Sequence, residues 1–520
     1  MLDVLIRHGR VIDGSGAPWF RADVGIKDGV IVYMGSDEPP EALKQIDATG
    51  KFVCPGFIDI HSHADISIIR SPEREPKITQ GVTTEVFSNC GGGIAPVTAK
   101  SKQLLLEYNK KLRFVDFDWF STEEYLSRID GAGVNVAYLV PHGVLRIAAM
   151  GYDARHATRE EIQVMCDLAR AGMADGAFGL STGLAYVPMS SSATEEIVEI
   201  CKVVADHGGF VASHMRNYRE KVTEGVDEML CTARESGIPM HIAHYQAYGV
   251  CNWGRGEELR AWIDDARNSG LDVTFDAYPY DFSAGGLKNT IPAKYHDRGA
   301  QGLAEYLKQP EVRKALQHEI GTVTTYDLER LTIVGVTNPE LSEFIGKSLP
   351  EGAEIRGQSV IDFLCDVLIQ DTAISHVNFQ GNAADVRVLA RSAYHMVGSD
   401  SSDVVRGEAR PHPRLYGTFP RFLRMFAAED SLLTWESAIN KMTGLPAWRL
   451  GLSKRGLLKR GMAGDVVVFD PETIRDKATM LDPEQPAEGI EWVLVNGVIE
   501  LAESKMTQCK AGKVLRRGMD

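Results

Sequence analysis

The chain has 520 residues, 44% hydrophobic and 24% charged, with 71 acidic against 56 basic side chains for a net charge of -15. That balance describes a large globular protein and argues against a nucleic-acid or anionic-membrane partner. Eight scattered cysteines without a CxxC pair, a start at Met1-Leu2-Asp3-Val4 with no basic-then-apolar leader, and no apolar run of about 18 residues predict a cytoplasmic protein with reduced thiols, and leave homo-oligomerisation open.

Residues 2–52 carry short alternating apolar runs broken by Gly14, Gly16 and a Lys27-Asp28-Gly29 turn. This is hairpin patterning, and one such half-layer cannot bury its own apolar face. A partner is predicted at the far end, where 465–470 and 491–499 read as strands with an Asn496-Gly497 turn. The economical arrangement is a small β-sandwich built from residues 1–52 and 454–520.

From 53 to 453 strands alternate with helices. Strands are expected at 57–63, 82–88, 134–140, 177–181, 209–214, 239–244, 272–278 and 395–400. Helices are expected at 101–112, 158–173, 194–206, 219–236, 257–268 and 434–443. Eight β-then-α units predict an α/β fold, a (β/α)8 TIM-like barrel with its chemistry at the C-terminal strand ends. Two surplus strands, 331–336 and 371–378, fall in an interruption between strands seven and eight, about 282–390. It is too long for a βα loop and is expected to form a lid or small subdomain over the mouth.

Strand one organises the rest. Residues 53–65 read Val-Cys-Pro-Gly-Phe-Ile-Asp-Ile-His-Ser-His-Ala-Asp, and alternation puts Asp59, His61 and His63 on one face. Two neighbouring imidazoles are half of a divalent-metal site, or equally a polar strand end satisfied by backbone or water. The other strand ends decide. Strand two runs to Cys90 before three glycines, strand three to His142, strand four to Ser181-Thr182-Gly183, strand five to His214 and strand six to His244. Strand seven ends in Asp276, Tyr278 and Tyr280, and strand eight in Asp400. Singly, His214 reads as a core histidine, Cys90 as a small buried residue and Asp400 as a helix cap. His241, of opposite parity to His244, is expected to face the helical layer, and Arg146 and Arg216 read either as mouth-lining residues or as surface or salt-bridged arginines. Together, four imidazoles and a thiolate can hold one or two divalent ions and leave one carboxylate for proton transfer.

At these residues the chain resembles the amidohydrolase superfamily, in its D-aminoacylase (N-acyl-D-amino-acid deacylase) branch. The resemblance spans nearly the whole chain: Val-Leu-Ile-Arg-His-Gly-Arg-Val-Ile-Asp-Gly-Ser-Gly at the start, Pro-Gly-Phe-Ile-Asp-Ile-His-Ser-His, Gly-Val-Thr-Thr-Glu-Val before Cys90, Leu-Ser-Thr-Gly-Leu-Ala-Tyr-Val-Pro at 180–188, Asn-Trp-Gly-Arg at 252–255, Gly-Ser-Asp at 398–400 and His-Pro-Arg-Leu-Tyr-Gly-Thr-Phe at 412–419. It implies a tightly held zinc on Cys90, His214 and His244, a second, weaker position at His61 and His63, and Asp400 as the acid/base group. The implied reaction is hydrolysis of the amide C–N bond of an N-acyl-D-amino acid or a related small N-acyl compound. Tyr278 or Tyr280 and Arg414 match the family's grip on the substrate carboxylate, with Tyr186 and His142 as further mouth residues. Where that family has a lysine, this chain has Gln246, a departure worth about 1.5–3 kcal/mol of carboxylate binding. It keeps open a cyclic amide, ester or retro-aldol substrate at the same site. Phe379-Gln380-Gly381-Asn382 stands in place of the acidic motif the family carries before strand eight. A non-catalytic barrel module would lack one of these ligands or the aspartate, and none is missing.

Overall fold

The computed structural model describes residues 1–520 except 297–298, 323, 325, 402–403 and 408–409. Barrel strands one to eight are Phe57–Asp59, Val82–Phe87, Asn135–Pro141, Gly179–Gly183, Phe210–His214, Met240–Ile242, Val273–Ala277 and His395–Val397. They pair in parallel and in sequence order, as the β-then-α rhythm predicts. The ring closes without a full ladder. Asp400 N–H donates to His61 O at 2.8 Å and His63 N–H to Ser401 O at 3.1 Å, beside an isolated Ser62–Ser401 bridge.

Strand alternation sorts the side chains. Val211, Ile242, Phe275 and Val397 face the helical layer, whereas Ile58, Leu139, Phe210, Ala212 and Met396 fill the interior, with Leu450 and Leu515 packed into the same cluster. The helices Arg159–Ala174, Thr194–Asp206, Val222–Ser236 and Gly256–Asn268 fall where their periodicity places them. A capping box of Thr158 with Glu161 starts the first of these.

Two expectations fail where strands end early. Strand one stops at Asp59, so Asp59 and His61 do not share a face: Asp59 meets Lys77 of the helix Glu75–Ile78, and His61 meets Asp276. His241 does not face the helical layer but packs edge-on against Phe210 inside the barrel, with its Nε2 3.0 Å from Asp276 Oδ2. Strand six ends at Ile242, and a left-handed turn at His244, φ +33°, overrides simple parity.

Segments from both ends build two further sheets. Val30–Gly35, Asp23–Lys27, Leu2–Arg7 and Ala42–Asp47 form one; Lys505–Met506, Val498–Ala502, Ile490–Val495, Val466–Phe469, Phe52–Pro55, Arg10–Val11 and Phe20–Arg21 form the other. Val4, Ile6, Val24, Ile26 and Ile46 pack against Val53, Val466, Val468, Trp492 and Leu494. The boundary drawn between residues 52 and 53 falls inside the strand Phe52–Pro55, which pairs with Val466–Phe469. The change of sheet comes at Gly56, after the Pro55-Gly56 break.

The interruption carries a three-stranded antiparallel sheet, Ser283–Gly286, Ser375–Asn378 and Leu331–Gly335, with the second strand central. Both surplus strands are therefore here, over a separate core that includes Leu287, Ile333, Phe344, Phe363 and Leu368. Gln380 ties this unit to the barrel loops: its carbonyl accepts from Gly249 N–H at 2.8 Å and Trp253 Nε1–H at 3.2 Å, and its side-chain oxygen accepts from Arg219. Asp385 accepts the amides of Gly254 and Gly256 at 2.8 and 2.9 Å. The Phe379–Asn382 stretch is thus a structural tie.

Among the described residues no helix is long and apolar enough to cross a membrane, and all eight cysteines are free.

Candidate metal centre

Cys90 sits just past strand two in a left-handed conformation, φ +53°. Its Sγ lies 3.3 Å from His61 Nε2, 3.7 Å from His244 Nε2 and 3.8 Å from His214 Nδ1, and the last two nitrogens are 2.8 Å apart. Ligands of a tetrahedral zinc, with Zn–S about 2.3 Å and Zn–N about 2.1 Å, stand roughly 3.4–3.6 Å from one another. The sulfur–nitrogen spacings fit that geometry, and the shorter nitrogen pair is a hydrogen-bond contact. A second group joins His61 and His63 to Asp400, with His63 Nε2 3.0 Å and His61 Nε2 3.5 Å from Asp400 Oδ1.

Supporting contacts fix the set. Asp276 Oδ2 lies 3.0 Å from His61 Nδ1, leaving Nε2 turned to Cys90, and its Oδ1 accepts the His244 amide at 2.9 Å. A carboxylate behind a ligand histidine sets both tautomer and ring orientation. Ser181 Oγ accepts Gly91 N–H at 3.0 Å and donates to Ser88 O, pinching the loop that presents the thiol.

The charges are arranged as a cation site. Burial alone would raise the Cys90 thiol, but the His61 charge and contacts with His214 and His244 pull it well below its ordinary range. Burial likewise opposes ionisation of Asp400, and the Arg414 guanidinium with the His63 contact overrides it, holding the carboxyl well below normal. Burial works against protonated His63, yet Asp400 and Cys90 push it up to about 9. His214 goes the other way, lowered by burial and by His244. A thiol and a carboxyl, both drawn towards their ionised forms, thus face the histidine rings, and ligands must be deprotonated to bind a metal. One thiol, four imidazoles and a carboxylate fit a divalent ion of the zinc type.

At the mouth, Arg414 Nη1 is 2.8 Å from Asp400 Oδ2, an ion-pair contact outside hydrogen-bond angles, and the guanidinium lies 4.7 Å over the Tyr278 ring. Tyr278 OH meets Tyr248 OH at 2.9 Å. Tyr186, 46% exposed, lies with its ring centroid 4.5 Å from that of His214.

Two expected mouth residues, Tyr280 and His142, are placed elsewhere, and Gln246 is engaged by the Tyr278 backbone. Tyr280 packs under Arg421, 4.4 Å from its guanidinium, so of the two tyrosines only Tyr278 stands beside Arg414. Gln246 is buried and donates to Tyr278 O at 3.4 Å, spending its amide on backbone. His142 is fully buried with both nitrogens engaged, 2.9 Å from Thr182 Oγ1 and 2.8 Å from Glu196 Oε1, because the chain turns into the helix His142–Met150 immediately after strand three. Arg146 pairs with the same Glu196 and Arg216 with Glu228, the salt-bridged readings. Sequence reasoning missed Tyr248 and the bracing roles of Ser181 and Asp276, the last two of which it places at strand ends.

The amidohydrolase family model matches residues 44–309 and 353–499. D-aminoacylase of Alcaligenes xylosoxydans xylosoxydans is 37% identical over 515 residues, 99% of this chain and 98% of that protein. A crystal structure of D-aminoacylase, 35% identical, aligns with a TM-score of 0.83 over 99% of this chain and 100% of the other. N-acyl-D-glutamate deacylase from Bordetella bronchiseptica, solved with zinc and a phosphonate inhibitor, aligns at 0.80 with 33% identity over 99% of both chains. With its barrel, its cysteine-and-histidine centre and these relatives, the chain belongs to the amidohydrolase family, in its D-aminoacylase branch.

Proposed function

We propose that the protein is a zinc-dependent hydrolase that cleaves the amide of N-acyl-D-amino acids to a carboxylate and a free D-amino acid. The carrying observation is the convergence of Cys90, His214 and His244 within 3.8 Å of one another, beside His61, His63 and Asp400. Cys90, His214 and His244 would hold the principal ion and His61 with His63 a weaker one. When bound, zinc would polarise the acyl carbonyl and lower the pKa of its water from about 15.7 towards about 7.

The chain's own residues supply the proton traffic and the grip. Asp400, kept ionised beside Arg414, takes a proton from the attacking water and returns it to the leaving nitrogen, help worth roughly 10²- to 10⁴-fold. Arg414 and Tyr278 line the place for the substrate carboxylate, and Tyr186 covers the His214 side. Without a second cation at Gln246, and with Arg414 shared by Asp400, that grip is modest.

The same reading takes 1–55 with 454–520 as the sandwich, 56–453 as the barrel and 282–390 as its insertion. It places the enzyme in the cytoplasm with small-molecule substrates, no nucleic-acid or membrane partner, and room for a homo-oligomer.

The test is a panel of N-acyl-D-amino acids, their L forms, cyclic ureides and lactones, run with the zinc-loaded protein and a Cys90→Ala variant. Turnover confined to the D-amides and loss of zinc in the variant are expected. Turnover of only the ureides or lactones would assign a different substrate, and unchanged zinc in the variant would remove Cys90 from the ligand set.

A further inference from the structure

Behind the seam where the barrel closes lies a lysine that touches neither donor group of the centre. Lys77 is fully buried. Its Nζ donates to Asp59 Oδ2 at 2.6 Å, Ser399 Oγ at 2.7 Å and Ser401 Oγ at 2.8 Å, which uses all three ammonium protons. Asp59 is equally committed. Its Oδ1 accepts the amides of Ser399 at 2.8 Å and His61 at 3.2 Å, and its Oδ2 accepts the Ser399 hydroxyl at 2.5 Å. The pair therefore grips both neighbours of Asp400 and the backbone of His61.

That grip falls where the fold needs it. Strands one and eight share no full ladder, and Asp400 has φ +47°, a left-handed conformation that aspartate adopts more readily than most side chains and that its hydrogen-bonded neighbours Ser399 and Ser401 hold in place. Glu85, whose Oε1 is 3.7 Å from Lys77 Nζ, is held by Arg74 at 2.8 and 2.9 Å, so two acids face two bases in the dry layer. An apolar side chain of the same volume would fill this space without desolvating a charge. Its presence at this seam points to geometry.

We infer that Lys77 and Asp59 form a positioning pair that, through Ser399, Ser401 and the His61 amide, sets where the Asp400 carboxylate and the His61 ring stand at the mouth. The inference rests on Asp400 being the acid/base group.

The experiment compares Lys77→Met, Ser401→Ala and Asp400→Asn, and the double variant Lys77→Met/Asp400→Asn, as full-length zinc-loaded proteins. Lys77→Met is expected to lower kcat about 10- to 100-fold, the scale of an ångström-sized misplacement, with KM within about threefold. Ser401→Ala, which removes the hydroxyl's contacts with Lys77 and Ser62 and no charge, is expected to lower kcat several-fold and decides the matter if Lys77→Met does not fold. In the Asp400→Asn background Lys77→Met should cost little more, because both act through one carboxylate. Independently of turnover, deuterium uptake in the metal-free protein should rise in peptides covering 57–63 and 395–401 and stay unchanged in peptides covering 210–214. Wild-type kcat in both Lys77→Met and Ser401→Ala, fully additive losses in the double variant, or uptake raised evenly across the barrel would overturn the pairing. Full turnover by Asp400→Asn alone would instead remove the acid/base assignment.

Discussion

Two buried clusters stand at strand ends of this barrel, each with histidine and acid, and they are built to opposite rules. Around His142, both ring nitrogens and both oxygens of Glu196 meet protein partners, and Arg146 balances the acid. Around Cys90, nitrogens meet nitrogens and sulfur, His244 Nδ1 and Arg414 Nε have no hydrogen-bond partner among the described residues, and Cys90, His244 and Asp400 all adopt positive φ. A cluster whose imidazole and carboxylate are both fully partnered, with only Arg146 Nε left over, holds the fold together, whereas one with an unpartnered ring nitrogen and three positive φ angles is held by the fold for something else.

The sharpest way to break that contrast is Asp400→Asn. It should reduce kcat by about 10²- to 10⁴-fold while zinc, measured by plasma emission, stays bound. A variant that keeps its rate would make the mouth as structural as the His142 cluster. The converse is Glu196→Ala, which leaves Arg146 buried without its acid and should cost about 3–5 kcal/mol in urea unfolding, with zinc content unchanged. Zinc loss there would erase the distinction.

Lys441 probes a third situation, a buried charge with no acid paired to it among the described residues. It is 3% exposed, its Nζ donates to Ser392 O, and burial pulls it down from 10.5 to about 7. Because the folded value lies below the unfolded one, the penalty is complete below about pH 7 and fades as pH rises towards 10.5. Lys441→Met should therefore be more stable than the wild type at pH 6 by up to roughly 5 kcal/mol, at about 1.4 kcal/mol per unit, and should lose that advantage by pH 10. Thermal melts across that range measure it, and a constant difference would refute the assignment. Smallest is Arg216→Ala: its pair with Glu228 is one-third exposed and should be worth under about 1 kcal/mol, with activity unchanged.

The same contrast explains what could be read from the sequence. Barrel strands were legible because each is an apolar run that stops at a polar residue, and the convergence of Cys90 with the histidines was legible because cysteine and histidine are rare choices at such stops. His142 obeys the same pattern yet belongs to the other cluster, since position at a strand end does not tell which way the next turn sends the side chain. His241 and Asp59 were misplaced by parity, which fails as soon as a strand ends two residues early or a backbone turns left-handed. Tyr280 illustrates the same loss of register beyond strand seven. Lys77 was invisible because its partners lie 18, 322 and 324 residues away, and no local pattern encodes such a meeting.

The strand Phe52–Pro55 lies between Arg10–Val11 and Val466–Phe469, and Leu515 packs into the barrel interior with its amide bonded to Val136 O. During synthesis both the first barrel strand's anchor and the floor of the barrel wait for segments that leave the ribosome after all eight strands. A nascent chain that already carried Cys90 and all four histidines of the centre would still lack the strand that flanks Phe52–Pro55 and the leucine that fills the floor.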